Sequence, residues 1–388
     1  MSTGVILIIL CTLILVGYVL DVVAKQLRIP SVLLLIGLGV LVKLITVELG
    51  IATFDFMRLI PTIGTLGLIL IVFEGGLDLE YRPEKKPIIR NALILSVVIL
   101  VLTALGIAFV FQYFTGAEFY PSLVNAIPYS VISSAIAIPS ASGLTRSSKE
   151  FITFESSFSD IFGIIFFNYS LQYTHVTFEV FGNLVSELTI VILVSLLFCV
   201  LLLYLLRKIT HHVKFVMIIA SMVLLYAIGK ELHLSSLILV LIFGLLIRNV
   251  HRIQYPRVRE LFVSESFKAD VHLMHSLTAE GVFLIKTIFF VLFGFIIDLD
   301  LLRDPVMLQI GFGVLAVIYL SRTIALPMVI RKLFPELLFS PRGLISILLY
   351  LSIPEALKIQ QLHTGLLFFT VLSTSLVMVS SAFLKTGK

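Results

Sequence analysis

Residues 154–167 read FESSFSDIFGIIFF, an apolar run suited to a buried helix that carries two carboxylates. On an insertion scale an acidic side chain at the centre of a membrane helix costs about 3 kcal/mol, so Glu155 and Asp160 need a reason to be there. Helical residues turn by 100° each, which points positions 155 and 160 about 140° apart. Ser156 then shares a face with Asp160, four residues on, while Glu155 shares its own face with Ser159. One carboxylate can face an ion pathway beside a serine hydroxyl while the other faces a neighbouring helix.

The chemistry open to each follows from whether it has a partner. An unpaired buried carboxylate is disfavoured in its charged form. It holds a proton or, having lost it, a small hard cation helped by oxygen ligands. A carboxylate that must choose between H⁺ and Na⁺ is a minimal exchanger, and Asp160 is the residue assigned that work. The competing assignment leaves Asp160 satisfied by hydroxyls in a packed core. Three basic residues share the apolar segments with it, Lys286, Arg322 and Arg342. Arg322 is the one expected to reach Glu155 and form a structural ion pair. Lys286 either snorkels or lines a path, with Arg342 grouped beside it as a modulator. Glu74, in FEGGLDLE, borders a Gly-Gly bend and serves either as a helix-end cap or as an ion contact.

The composition says what kind of frame holds these groups. The chain has 388 residues, is 59% hydrophobic and 13% charged, and has a mean hydropathy of +1.13. A soluble core of this size needs far more polar surface, so an all-α polytopic membrane protein is expected. The pI of about 9.1 does not call for nucleic acid, because the basic residues are spread over short loops. Cys11 and Cys199 fall inside apolar runs and read as buried, inert thiols. The first apolar run lacks a basic n-region and a small-residue cleavage site, so it reads as a span and not a signal peptide.

Thirteen apolar segments suit a hydrocarbon core of about 30 Å: 4–23, 31–47, 60–77, 88–113, 124–142, 151–173, 184–206, 213–230, 235–249, 277–298, 306–331, 342–353 and 363–384. Alternate loops hold 20 Lys and Arg residues on one side and five on the other (Lys43, Arg58, Lys230, Arg303 and Lys358). The positive-inside rule puts the N-terminus outside and the C-terminus in the cytoplasm, in agreement with an odd number of spans. On that orientation Asp160 lies roughly 14 Å deep and Glu155 roughly 6 Å. The chain stops a few residues after the last span, so no soluble regulatory domain is expected. Every histidine (175, 211, 212, 233, 251, 272, 275 and 363) falls in a loop or at a span edge, which argues against a histidine relay, an enzyme or a metal cofactor.

Two segments are poor helices. PYSVISSAIAIPSASG (128–143) and SPRGLISILLYLSIPE (340–355) are each bracketed by prolines, Pro128 and Pro139 in one, Pro341 and Pro354 in the other. Proline removes a backbone donor and disfavours helix just before it. Broken helices at membrane depth line a cavity or are buried in protein. As the fifth and twelfth segments they are the middle members of 4–6 and 11–13, the pattern of inverted repeats with a midplane site. The plainer alternative is a pair of proline-kinked packing helices.

ESSFSD (155–160), SPRGLIS (340–346), KTIFFVLFGFIID (286–298), LSRTIALP (320–327) and FEGGLDL (73–79) together resemble motifs of the monovalent cation/proton antiporter superfamily. The branch they resemble is that of the sodium/proton exchangers, bacterial antiporters among them, and the likeness runs in consistent order over nearly the whole chain. The resemblance implies homodimers, with a mobile core (60–173 and 277–388) and a dimerisation part (1–50 and 184–249), and exchange of Na⁺, or Li⁺, for H⁺. It carries ion binding onto Asp160, with Ser156, Ser159, Glu74 and the Ser133–Ser134 turn nearby, and a stabilising pair onto Glu155 and Arg322. Two departures stand out. The family's Asn before the essential Asp is Ser159 here, and SSAIAIP (133–139) replaces a Thr-Asp-Pro element, resembling instead the Ser-Ser-Thr of the potassium-efflux branch. Na⁺ is favoured, K⁺ remains an alternative, and one-for-one electroneutral exchange is the simpler expectation. A cation channel would need a pore loop or acidic rings, and neither is seen. A bacterial inner membrane is the expected home.

Overall fold

The structure, a computed structural model, describes residues 3–27, 29–48, 60–79, 83–172, 186, 189–201, 204, 214–232, 234, 236–250, 267–298, 300–330 and 333–383. Among these the regular structure is helical, with no strand. The helices are α1 (Thr3–Leu27), α2 (Ser31–Glu48), α3 (Ile60–Asp78), α4 (Lys86–Thr115), α5 (Phe119–Ser130), α6 (Ser134–Ser140) and α7 (Arg146–Gln172). There follow α8 (Thr189–Leu201), α9 (Lys214–Glu231), α10 (Ser236–Asn249), α11 (Phe267–Ile296), α12 (Pro305–Ala325), α13 (Leu344–Leu351) and α14 (Thr364–Phe383). Among the described residues, six stretches are long and apolar enough to cross a membrane: 31–48, 86–115, 119–143, 271–296, 305–328 and 364–381.

Contacts divide the chain into two units. The first comprises Met1–Gly64, Pro87–Gly163 and Leu284–Lys388, and the second Thr65–Lys86 and Ile164–Phe283. In the first unit small residues let helix backbones approach, as expected where lipid removes most of the hydrophobic drive between helices. A Cβ on Gly39 would lie 2.1 Å from Val291 O, and one on Gly294 would lie 2.2 Å from Ile36 O, so α2 and α11 cross backbone to backbone. Gly106 of α4 makes room for a side chain of α12, since a Cβ there would lie 2.6 Å from Val317 Cγ1. Thr103 and Ser321 share a 2.6 Å hydrogen bond across that pair. The start of α12 is set locally: Asp304 accepts from Val306 N at 3.0 Å, and Pro305 occupies the first turn, where no backbone donor is needed.

Three sequence expectations are corrected, the first two in the second unit. No bend occurs at Gly75–Gly76, because α3 runs unbroken from Ile60 to Asp78. Gly76 is needed for packing instead, since a Cβ there would sit 2.7 Å from Leu241 O on α10. Helix α11 begins at Phe267 and so carries His272 and His275 within it. The polar residues of its first turns hid that start from a hydropathy reading. Cys199 is buried, but Cys11 is exposed on α1. Histidines 175, 211, 212, 233 and 251, and several basic residues that set the orientation (Arg28, Arg58, Arg82, Arg207, Lys208, Arg252, Arg257, Arg259, Arg331, Lys332, Lys385 and Lys388), lie outside the described residues.

Candidate functional site

Helix α5 stops at Ser130, with Pro128 in its last turn, and Val131–Ser133 are extended before α6 begins. In an uninterrupted helix the N–H groups of residues 132, 133 and 134 would close onto the carbonyls of 128, 129 and 130. Here all three are redirected. Ile132 N donates to Ser159 Oγ at 2.9 Å, Ser133 N to Pro341 O at 2.9 Å, and Ser134 N to Asp160 Oδ2 at 3.1 Å. Alternate residues of an extended chain face opposite ways. So residues 132 and 134 turn to α7, while residue 133 turns to the second interruption.

That second interruption covers the extended residues before α13. Pro341 gives its carbonyl to Ser133, and Arg342 N donates to Thr374 Oγ1 at 3.0 Å. The Arg342 side chain is fully buried, with Nε on Tyr129 O at 2.6 Å and Nη1 on Ser340 Oγ at 2.8 Å. Tyr129 O is the carbonyl that Ser133 N would otherwise have closed, at the negative end of α5, where a cation is favoured. Gly343 is required at this crossing because a Cβ would lie 2.5 Å from Ser133 Oγ. Gly163 serves the same purpose on α7, where a Cβ would lie 2.4 Å from Val131 Cγ2.

Asp160 therefore sits against the interruption, 7% exposed, with Oδ2 tied to Ser134 N and Oδ1 buried without a hydrogen-bond partner. Ser156 does not bond Asp160. Its hydroxyl donates to Ile152 O at 2.8 Å in its own helix, which leaves the oxygen lone pairs available. Ser133 Oγ and Ser157 Oγ are also buried without a partner. Ser157, three residues before Asp160, is absent from the sequence assignment. Its position beside Ser156 in the i, i+3 and i, i+4 pattern is the signal that could have found it.

Glu155 faces elsewhere. Arg322 Nη1 donates to Glu155 Oε1 at 2.8 Å and Nη2 to Oε2 at 3.1 Å, with both residues at most 1% exposed. Arg322 Nη2 also donates to Glu336 O at 2.6 Å. Glu336 is itself buried with Oε2 unpartnered. Nothing in its loop sequence marks it out. Lys286 Nζ donates to Ala135 O, in the first turn of α6, at 3.0 Å. Glu74 belongs to the second unit, one turn before Asp78, which meets His275 Nε2 at 2.7 Å.

What gathers here is one carboxylate with a free oxygen, hydroxyl lone pairs and the loosened backbone of two interrupted helices. That is an oxygen-rich, singly charged setting in which a proton and a monovalent cation can compete. A family profile described as "Sodium/hydrogen exchanger, transmembrane" matches residues 9–385 of the chain. The fold is similar to that of the sodium proton antiporter MjNhaP1 from Methanocaldococcus jannaschii, solved at pH 8. The TM-score is 0.75 at 20% identity, covering 98% of this chain and 100% of that one. An electron-microscopy structure of the same antiporter gives a TM-score of 0.68 at 19% identity, covering 99% and 96%. None of the curated protein sequences matches significantly.

Proposed function

The chain belongs to the sodium/hydrogen exchanger family, and from that premise we propose that it exchanges Na⁺ for H⁺ at Asp160 by alternating access. The observation that carries the reading is the Asp160 carboxylate, held by Ser134 N on one oxygen and without a partner on the other. A bare carboxylate within the membrane is costly, and either ligand removes that cost. A proton does so on Oδ1. A sodium ion does so with Oδ1 and the lone pairs of Ser156 and Ser133 as oxygen ligands, with Ser134 fixing the other carboxylate oxygen. The two occupants exclude each other. The carrier then reorients in either loaded form, while the empty, charged form is held back, and this makes the fluxes obligatorily coupled. Glu155 and Arg322 hold α7 against α12 and take no part in exchange. Ser159 takes over the backbone contact at Ile132.

Thirteen spans with interrupted inverted repeats (α4 to α7 and α12 to α14) suit this mechanism, because the two interruptions hydrogen-bond each other at Ser133 and Pro341. Outward-facing Leu193 and Leu197 on α8 suit lipid contact. The asymmetry of Lys and Arg supports an N-terminus outside and a C-terminus in the cytoplasm, and the short loops suit a bacterial inner membrane. We retain the homodimer with a mobile core, 60–173 and 277–388, and a dimerisation part, 1–50 and 184–249. K⁺ is the second reading, favoured by SSAIAIP (133–139), which holds no carboxylate, standing in place of a Thr-Asp-Pro element. A site of lower charge suits a more weakly hydrated ion.

The test is proteoliposome flux read with a pH-sensitive dye under Na⁺, Li⁺ and K⁺ gradients, with Asp160→Asn beside the wild type. Asn is nearly isosteric but neither titrates nor carries charge. The wild type should exchange Na⁺ and the variant should not. Exchange by D160N near the wild-type rate removes Asp160 as the carrier, and exchange of K⁺ alone selects the second reading.

A further inference from the structure

We infer that Pro139 is a positioning residue for Lys286: by lacking an N–H it leaves the Ala135 carbonyl to the lysine, and so fixes where that positive charge sits. In a helix the N–H of residue i+4 closes onto the carbonyl of residue i. Pro139 stands four residues after Ala135, inside α6, and has no N–H to give. Lys286 Nζ, reaching in from α11, donates to that same carbonyl at 3.0 Å. The residue before it, Ser134, gives its N–H to Asp160 Oδ2 at 3.1 Å. One short helix therefore holds the carboxylate at its first residue and the ammonium at its second, and Pro139 determines that the second place is open.

The arrangement gives Pro139 a consequence beyond breaking the helix. With Pro139 in place, the ammonium has a fixed acceptor on α6 and is kept off Asp160. With an N–H at position 139, the carbonyl closes into the helix, and Lys286 loses this acceptor, which lets its ammonium shift toward the carboxylate and compete with the transported cation. The docking itself is independent of the transport reading. Only the effect on cation affinity rests on Asp160 being the exchange site.

Two measurements test this, and they fail separately. Pro139 is exposed, so P139A should fold, and P139S provides a second variant with the same restored donor. In detergent melting, K286M should lose stability in the wild-type background, because Ala135 O loses its donor. The loss should be smaller in P139A and in P139S, where the new N–H takes over, and K286R should melt near the wild type. Equal losses from K286M in all backgrounds overturn the docking, whatever the transport result. In proteoliposomes, P139A should raise the half-saturating Na⁺ concentration severalfold with Lys286 present and leave it unchanged in K286M. A rise of the same size in K286M means that Pro139 does not act through the lysine. If the wild type does not exchange Na⁺ at all, the transport reading fails, while the melting series still decides the contact.

Discussion

Ser133 donates its backbone N–H to the carbonyl of Pro341 at 2.9 Å, so the two interrupted segments of the first unit are joined main chain to main chain. Neither proline-bracketed segment could be buried on its own without stranding backbone groups, and an unmade buried hydrogen bond costs about 1–3 kcal/mol. Each interruption supplies what the other lacks. Pro341 receives the N–H that α5 gave up, and Arg342 covers the carbonyl of Tyr129 that the same N–H left behind.

The crossing leaves no room for a side chain at Gly343. Its φ of −165° is ordinary extended backbone, so the constraint is one of space. A Cβ would meet Ser133 Oγ at 2.5 Å, Ile136 Cδ1 at 2.7 Å and Ser133 Cβ at 2.9 Å. G343A should destabilise by about 1–3 kcal/mol, seen as a lowered melting temperature in detergent. S133G should relieve part of this, since Ser133 supplies two of the three close contacts. Wild-type melting of G343A would mean that the segments do not cross so closely.

The Glu155–Arg322 pair is bidentate and buried, which makes each partner costly to remove alone. E155A and R322A should each lose about 3–5 kcal/mol, because each leaves a buried charge uncompensated. The double variant should lose less than the two losses combined. Strictly additive melting shifts would show that the two groups do not support one another.

How far the sequence could be read depended on whether the determinant was local. Hydropathy located the segments that form helices because burial in lipid is a property of each segment. It missed the start of α11, where His272 and His275 precede the apolar run. It also misread Gly76, whose need for a small side chain is imposed by Leu241 on another helix. Prolines marked both interruptions. They did not say that Ser133 would meet Pro341, or that Arg342 would dock on Tyr129, because those pairings are fixed by tertiary approach. Around Asp160, helical periodicity singled out Ser156 but passed over Ser157, and only the packing shows Ser157 to be a buried hydroxyl without a partner.

The two serines flanking this reading should separate in experiment. Ser159 Oγ accepts from the buried N–H of Ile132, so S159A should lower stability by about 1–3 kcal/mol through the stranded donor. Ser156 bonds only its own helix. S156A should melt near the wild type yet raise the half-saturating Na⁺ concentration, since a ligand oxygen is gone. Melting curves and initial rates on both variants check this. A destabilised S156A with unaltered affinity would assign that hydroxyl to packing.

If H⁺ and Na⁺ share Asp160, transport obeys a competition law. Protons remove the binding-competent carboxylate, so on the acid side of the site's titration the half-saturating Na⁺ concentration should rise about tenfold per pH unit. On the alkaline side it should level off, because the carboxylate is already free. The maximal rate at saturating Na⁺ should change little, since enough cation restores the loaded form. Voltage adds an independent constraint. A potential of 100 mV acts on each translocated charge with about 2.3 kcal/mol, but both loaded forms move with the Asp160 charge neutralised. An imposed potential should then leave the rate unaltered, provided Lys286 keeps its proton on Ala135 O throughout the cycle. Initial rates against Na⁺ at several pH values, with and without a potassium-diffusion potential, test both points. An affinity independent of pH defeats the shared site. Strong acceleration by voltage leaves the shared site standing, defeats electroneutrality alone, and points to Lys286 as the group that releases a second proton.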